Sequence, residues 1–234
     1  MNSTQPRDKH IHHRNTDFMQ RIVIYIIAIL TIATIAFASV ANASETKTPD
    51  QVISETTNRM LAALKRDHNL ISQHPSRVHE LANQIIMPHV DFQRMSSWVL
   101  GKYWRRATAE QKQQFPAQFR GLILRTYATA LSEYTDETIN YLPMRTKDDA
   151  KEVTVRTVIE RSAGPGIPVA YRMHQVEKNW KVYDISIDGI SLVNNYRRSF
   201  SNEIRRHGLN SLIKKLAAKN TSLVAKQSQL ASNQ

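Results

Sequence analysis

The chain contains no cysteine. That excludes disulfides, a cysteine nucleophile and thiolate metal ligation. Only six glycines occur in 234 residues, and none belongs to a phosphate-cradling loop or a nucleophile elbow. Paired histidines at metal spacing on one helix are also missing. His68, His74, His79, His89, His174 and His207 are scattered and read as surface or capping residues. The close trio His10, His12 and His13 falls in a leader and reads as unstructured chain. No metal and no cofactor are expected. Acidic side chains are the minority, 20 against 32 Lys and Arg, for a formal net charge of +12. Such a surface suits an anionic partner or simply confers solubility.

The apolar content is 41% over 234 residues, enough for one ordinary domain plus a targeting segment. Ile22 to Val40 is strongly apolar and uncharged, preceded by Arg14 and Arg21 and followed by the small-x-small site Ala41-Asn42-Ala43. This is the layout of a secretory signal peptide. The apolar run is about 19 residues, near the length of a membrane span. Read as an uncleaved anchor, it would still place the domain outside the cytoplasm. Met19 offers an alternative start and a shorter, conventional signal. The expected organisation is therefore a signal peptide at 1–43, a domain at 44–218 and a polar, frayed tail at 219–234.

The domain opens with helical signals. Thr48-Pro49-Asp50-Gln51 forms a capping box with proline in the first turn, ahead of Val52, Ile53, Thr56, Met60, Leu61 and Leu64. The stretch Arg66 to Gln73 reads as a polar loop. Pro75-Ser76 starts a second helix carrying Val78, Leu81, Ala82, Ile85 and Ile86. Asp91 caps a third, which contains Trp98 and ends at Gly101. Thr108 and Gln111 form a second capping box and open the longest helix, to about Tyr134, with Tyr127 and Leu131 on its apolar stripe. Pro116 is expected to kink that helix or mark its start.

After Asp136 the period changes from helical to two. Thr138 to Met144, Val153 to Glu160, Ile167 to His174 and Trp180 to Asp188 read as four strands joined by short turns, an antiparallel meander. Its apolar face is expected to carry Val155, Ile159, Val169, Tyr171, Met173, Tyr183 and Ile185. A break at Asp188-Gly189 then leads to a helix with Leu192, Val193, Tyr196, Phe200 and Ile204 at helical spacing. The class is α+β: N-terminal helices and a C-terminal helix packed on one face of a four-stranded antiparallel sheet. The inward residues, with Trp98, Tyr127 and Leu131 from the helices, either fill a core or line an apolar pocket, and periodicity does not separate the two.

Two polar features allow other functions. Asp184 and Asp188 lie on the strand face opposite Ile185, where they would face solvent or pair with Arg156 or Arg172 across the sheet; Asp184 or His174 could instead act as a base in a helix-and-curved-sheet enzyme of the NTF2-like kind. Arg105-Arg106, Arg197-Arg198 and Arg205-Arg206 could dock on acidic surfaces or anionic headgroups, or be solvated helix faces. An export signal argues against nucleic acid. A signal-anchored interaction module with a filled core is a third reading.

Several words of the sequence carry a resemblance. They are Asp91-Phe92 with Met95-Ser96, then Val99-Leu100-Gly101-Lys102-Tyr103-Trp104-Arg105 running into Ala107-Thr108-x-Glu110-Gln111. Later come Trp180-Lys181-Val182-Tyr183-Asp184, Gly189-Ile190-Ser191-Leu192-Val193, Asn195-Tyr196-Arg197 and Ser199-Phe200. In this order, from about Pro49 to Leu216, the chain resembles the MlaC family of periplasmic phospholipid-binding proteins, also called toluene-tolerance auxiliary components. The resemblance implies no enzymatic reaction. It implies a carrier of diacyl phospholipid between an outer-membrane lipoprotein–porin complex and an inner-membrane ABC transporter with an MCE-domain ring, maintaining outer-membrane lipid asymmetry. The pocket candidates become lipid contacts on that reading, around a cavity near about 1,000 Å³, the upper end of ordinary pockets. Cleavage after Ala43 is the first testable outcome: N-terminal sequencing of the exported protein should begin at Ser44, and a stable membrane-bound form retaining Ile22 to Val40 would support the anchor instead.

Overall fold

The structure is a computed structural model that describes residues 47–131, 138–144, 149–161 and 164–232. All of these lie in one compact unit, Thr46–Gln234. The expected signal peptide, its Met19 alternative and the His10 to His13 trio fall outside the described residues. Among the described residues, no helix is long and apolar enough to cross a membrane.

Helix α1 (Pro49–Arg66) starts as its capping box requires, with the Thr48 N–H donating to Gln51 Oε1 at 2.9 Å. The segment read as a polar loop instead contains a short helix, α2 (His68–Gln73). Asp67 ties its start to both neighbours, accepting from Arg66 and from Arg77 at 2.7 and 2.9 Å. Helix α3 (Arg77–Ile85) buries Val78, Leu81, Ala82 and Ile85. After a 3₁₀ turn at Met87–His89, Asp91 caps α4 (Phe92–Leu100) by accepting from the Arg94 N–H at 2.9 Å. A short α5 (Lys102–Arg106) precedes α6 (Ala109–Leu131). Pro116 lies within α6, so it does not mark the start.

The sheet has one strand more than expected: β1 (Ile139–Tyr141), β2 (Glu152–Ile159), β3 (Ile167–Val176), β4 (Asn179–Ile187) and β5 (Ile190–Ser191), antiparallel in order β1-β2-β3-β4-β5. The added strand is two residues long. Asp188 and Gly189 form its hairpin with positive φ of 48° and 75°, the geometry a two-residue primed turn demands and an Asp-Gly pair supplies.

Simple alternation fails at one place in β4. Arg172 pairs with Asp184 but Met173 pairs with Val182, so Tyr183 is an extra, bulged residue. Val182 and Ile185 therefore share the inner face, while Tyr183 joins Asp184 on the outer one. This corrects the expectation that Tyr183 and Ile185 lie together. On the outer face, Tyr183 donates to Glu152 Oε2 at 3.2 Å and packs edge-on against His174.

Asp184 links the sheet to the last helix, α7 (Leu192–Ser232). The carboxylate is 1% exposed. It accepts from the Ser191 hydroxyl at 2.7 Å and the Val193 N–H at 3.1 Å, and Ser191 Oγ in turn accepts from the Asn194 N–H. A negative charge at a helix N-terminus is favourable, because the first amide groups have no partner within the helix. Arg172 Nη1 stands 3.9 Å away.

Gly208, with φ 80° and ψ 165°, breaks α7 into two helical segments. The backbone stays helical to Ser232, beyond the polar turn in composition near Lys219, because Ala, Lys, Gln and Leu remain strong helix formers. Phe115 and Phe119 of α6 pack with Phe200 and Tyr196 of α7 at ring separations of 5.2 to 5.9 Å, forming the aromatic centre of one core. Replacing Asp184 by Ala should lower stability by about 2–4 kcal/mol, because buried donors lose their acceptor. Asp184→Asn, which keeps an acceptor oxygen, should cost less; urea unfolding of the three proteins measures both differences.

Candidate functional site

The inner face of the sheet is not packed throughout. An apolar cavity of about 400 Å³ lies between that face and helices α1, α3 and α6. Helix α1 contributes Ile53, Thr56, Thr57, Met60, Leu61 and Leu64 at successive turns. Ala82 and Ile86 close one wall, and Ile123, Leu124 and Tyr127 of α6 another. The strands supply Ile159, Val169, Tyr171, Val182 and Ile185. Ile139, Ile159, Ile167 and Ile187 form the ends of the strands here and are buried only in part; Ile187 is 38% exposed, which places an opening at this edge. The volume is below the about 1,000 Å³ expected, though within the ordinary range of ligand pockets.

The few polar groups in the wall stay neutral. Burial pushes the Tyr171 phenol upward, and the adjacent Thr157 only partly offsets it. Burial also raises Tyr141 at the edge of the sheet. His89 is held below the usual histidine range, first by burial and then by the cations Lys181, Arg59 and Lys47. Its neighbourhood therefore disfavours imidazolium, and the wall is uncharged at neutral pH. Behind it, Tyr196 is hydrogen-bonded to Tyr127 and its phenol is pushed far up, chiefly by burial.

The residues singled out in the sequence divide into three groups. Tyr127, Ile159, Val169, Tyr171 and Ile185 line the cavity. Val155 and Met173 are on the same face but 1% and 0% exposed, packed with Val52, Ile53, Trp180 and Val182 of the adjoining core. Trp98 and Tyr183 sit together on the other side of the sheet, ring centres 5.5 Å apart, with the Arg172 guanidinium 5.0 Å from each. The bulge is the physical reason for Tyr183. Leu131 closes α6, and its side chain is outside the described residues. Missing from the sequence-derived set are, among others, the α1 and α3 residues, Ile123 and Leu124 of α6, Val182, and the strand-end residues Ile139, Ile167 and Ile187. The stripe Ile53, Thr56, Met60, Leu64 was visible as a buried helix face, but nothing in its spacing distinguishes a face on a cavity from one on a core.

The two candidate bases stand away from the cavity. Asp184 caps α7 on the outer face. His174 is bound at Nε2 to Asp91 Oδ2 at 2.9 Å and at Nδ1 to Arg94 Nη1 at 3.2 Å. Arginine only donates, so Nδ1 accepts and Nε2 donates to Asp91. Among the described residues, no group of three or more His, Asp or Glu side chains could hold a metal ion.

An α+β domain hollowed between its helices and one sheet face, with an uncharged apolar wall, has the build of a domain for apolar ligands. The chain belongs to the MlaC family: the family model described as MlaC protein matches residues 54–218. It is 30% identical over 163 residues to the toluene tolerance protein ttg2D of Pseudomonas putida, covering 69% of this chain and 75% of that protein. It is 25% identical over 191 residues to the intermembrane phospholipid transport system binding protein MlaC of Haemophilus influenzae, covering 80% and 89%. Among solved structures, the phospholipid-binding protein from Ralstonia solanacearum in complex with a phospholipid matches with a TM-score of 0.70 and 32% identity, over 76% of this chain and 99% of that one.

The lowered His89 pKa gives a pH signature. The unfolded chain takes up its proton at the ordinary value near 6.5, before the folded protein does. The contribution of His89 to stability is therefore intact above that pH and is lost as pH falls through it towards the folded value. Denaturation midpoints at pH 7.5 and 5.5 should fall further in the wild type than in His89→Gln, and the His89 imidazole should titrate below 6.5 by NMR.

Proposed function

We propose that this protein is a periplasmic phospholipid carrier without enzymatic activity, its acyl chains held in the cavity between α1, α3, α6 and the sheet. The observation that carries the reading is the uncharged apolar cavity in a chain of this family, whose fold is matched by a phospholipid-bound relative. Each buried methylene gains about 0.8 kcal/mol over water. Two long acyl chains therefore favour the cavity over water strongly, but a bilayer offers nearly the same gain. Net transfer between bilayer and carrier is close to balanced, which suits a protein that must both load and unload. The polar headgroup would remain at the partly exposed isoleucine edge, because nothing in the wall compensates a desolvated phosphate. The cavity is smaller than two full chains require, so their outer methylenes extend past the opening or the helices move apart.

The resemblance supplies the wider cycle: lipid exchanged between an outer-membrane lipoprotein–porin complex and an inner-membrane ABC transporter with an MCE-domain ring. Export rests on the leader at 1–43. Native mass spectrometry of the mature protein should show a co-purified diacyl lipid at about one per chain. Val169→Trp should fill the space beneath Tyr171 and Ile185, so that the variant melts near the wild-type temperature and carries much less lipid. Protein that never carries lipid, and that Val169→Trp destabilises by about 1–3 kcal/mol as in an overpacked core, would overturn the carrier reading.

A further inference from the structure

A second, shallow and widely open depression lies at the corner where α4, α5 and the start of α7 meet, lined by Trp98, Trp104, Lys102, Arg105 and Arg197. It shares no residue with the apolar cavity. Trp98 belongs to the opposite side of the sheet, beside the outward-facing Arg172. We propose that this depression is a docking site for an acidic segment of a partner protein, taking one or two Asp or Glu side chains.

Three observations support it. The lining holds three cations and no carboxylate, and among the described residues Lys102, Arg105 and Arg197 make no ion pair. One cation is fixed in place: Arg197 donates through Nε to the Trp98 carbonyl at 2.6 Å, which leaves its two terminal nitrogens, the pair suited to grip a carboxylate, uncommitted. The depression is also aromatic. Trp98 and Trp104 are partly buried in the neighbouring core, so the indole floor is rigid while Lys102 and Arg105 stand exposed at its rim. Tryptophan and arginine are the side chains most enriched among those that dominate binding at protein interfaces. A membrane surface is met best by a broad basic face; three cations gathered at one small, open corner match the footprint of one or two carboxylates instead.

The site is independent of lipid carriage, so its test leaves that reading untouched. Trp98 and Trp104 are two of the three tryptophans, which makes intrinsic fluorescence a direct reporter. The mature protein would be titrated with a blocked peptide of four consecutive Glu flanked by Gly-Ser, and with its Gln counterpart. The Glu peptide should give a saturable change that weakens as salt rises from 50 to 500 mM, and the Gln peptide none. Lys102→Gln/Arg105→Gln should weaken the Glu peptide at least tenfold. Arg205→Gln/Arg206→Gln, an equal loss of charge further along α7, should change it less than twofold. Circular dichroism melting checks that both variants fold. No saturable response to the Glu peptide, or equal effects of the two variants, overturns the proposal by reducing the signal to net charge. A third result also overturns it, in favour of a lipid surface: Lys102→Gln/Arg105→Gln loses binding to vesicles rich in phosphatidylglycerol while its peptide affinity is unchanged.

Discussion

An apolar space left unfilled must be held open by everything around it. Side chains that face a void forgo the dispersion contacts that packing against neighbours would give, so closing the walls together is always favourable unless a frame resists. Here the resistance comes from three packed clusters around the cavity. Phe115, Phe119, Phe200 and Tyr196 lock α6 to α7. Met60, Leu64, Val78 and Leu81 lock α1 to α3. Val52 and Ile53 pin α1 against Val155 and Met173 of the sheet. Ile53, Met60 and Leu64 belong to these clusters and to the cavity wall at once. The residues that maintain the frame and those that border the space are thus partly the same, turned between core and void along a single helix.

The ion pairs made by the strands lie on the other side of the sheet. Asp91, Arg94, Glu152, His174 and Tyr183 form one connected set there, with Arg94 paired to Glu152 and stacked 4.7 Å from the Tyr183 ring. Arg172 and Asp184 continue it to the cap of α7. These groups fasten the outer helix ends to the strands by directional bonds. The inner face is left to non-directional apolar contact. That division lets the inner face accept a flexible occupant without disturbing charge pairs.

Local signals were legible in the sequence because their causes are local. The boxes at Thr48/Gln51 and Thr108/Gln111 and the cap at Asp91 each involve residues three apart, and each forms. The meander was readable because short turns leave antiparallel neighbours as the only simple solution. The α+β class followed from the change of period after Asp136. The candidate site was only half legible. Five of its proposed residues border the cavity, while Val155 and Met173 belong to filled core, a distinction that depends on how α1 crosses the sheet rather than on any spacing. The bond between Asp91 and His174 spans 83 residues and had no sequence trace. Short helices α2 and α5 were missed because six and five residues are too few to show a period.

The bulge at Tyr183 acts on β4 much as an inserted letter acts on a reading frame. Upstream of it, even-numbered residues such as Trp180 and Val182 face inward; downstream, odd-numbered ones such as Ile185 and Ile187 do. Deleting this one residue would restore a regular ladder, Val182 opposite Met173 and Asp184 opposite Arg172, and would leave Ile185 on the cavity and Asp184 outside; what would be lost is the Tyr183 ring against Trp98 and His174. The extra residue thus adds an outward aromatic side chain without changing which residues of β4 face the cavity. Homologues aligned by alternation alone, without allowance for this extra residue, will match inward positions on one side of it to outward positions on the other.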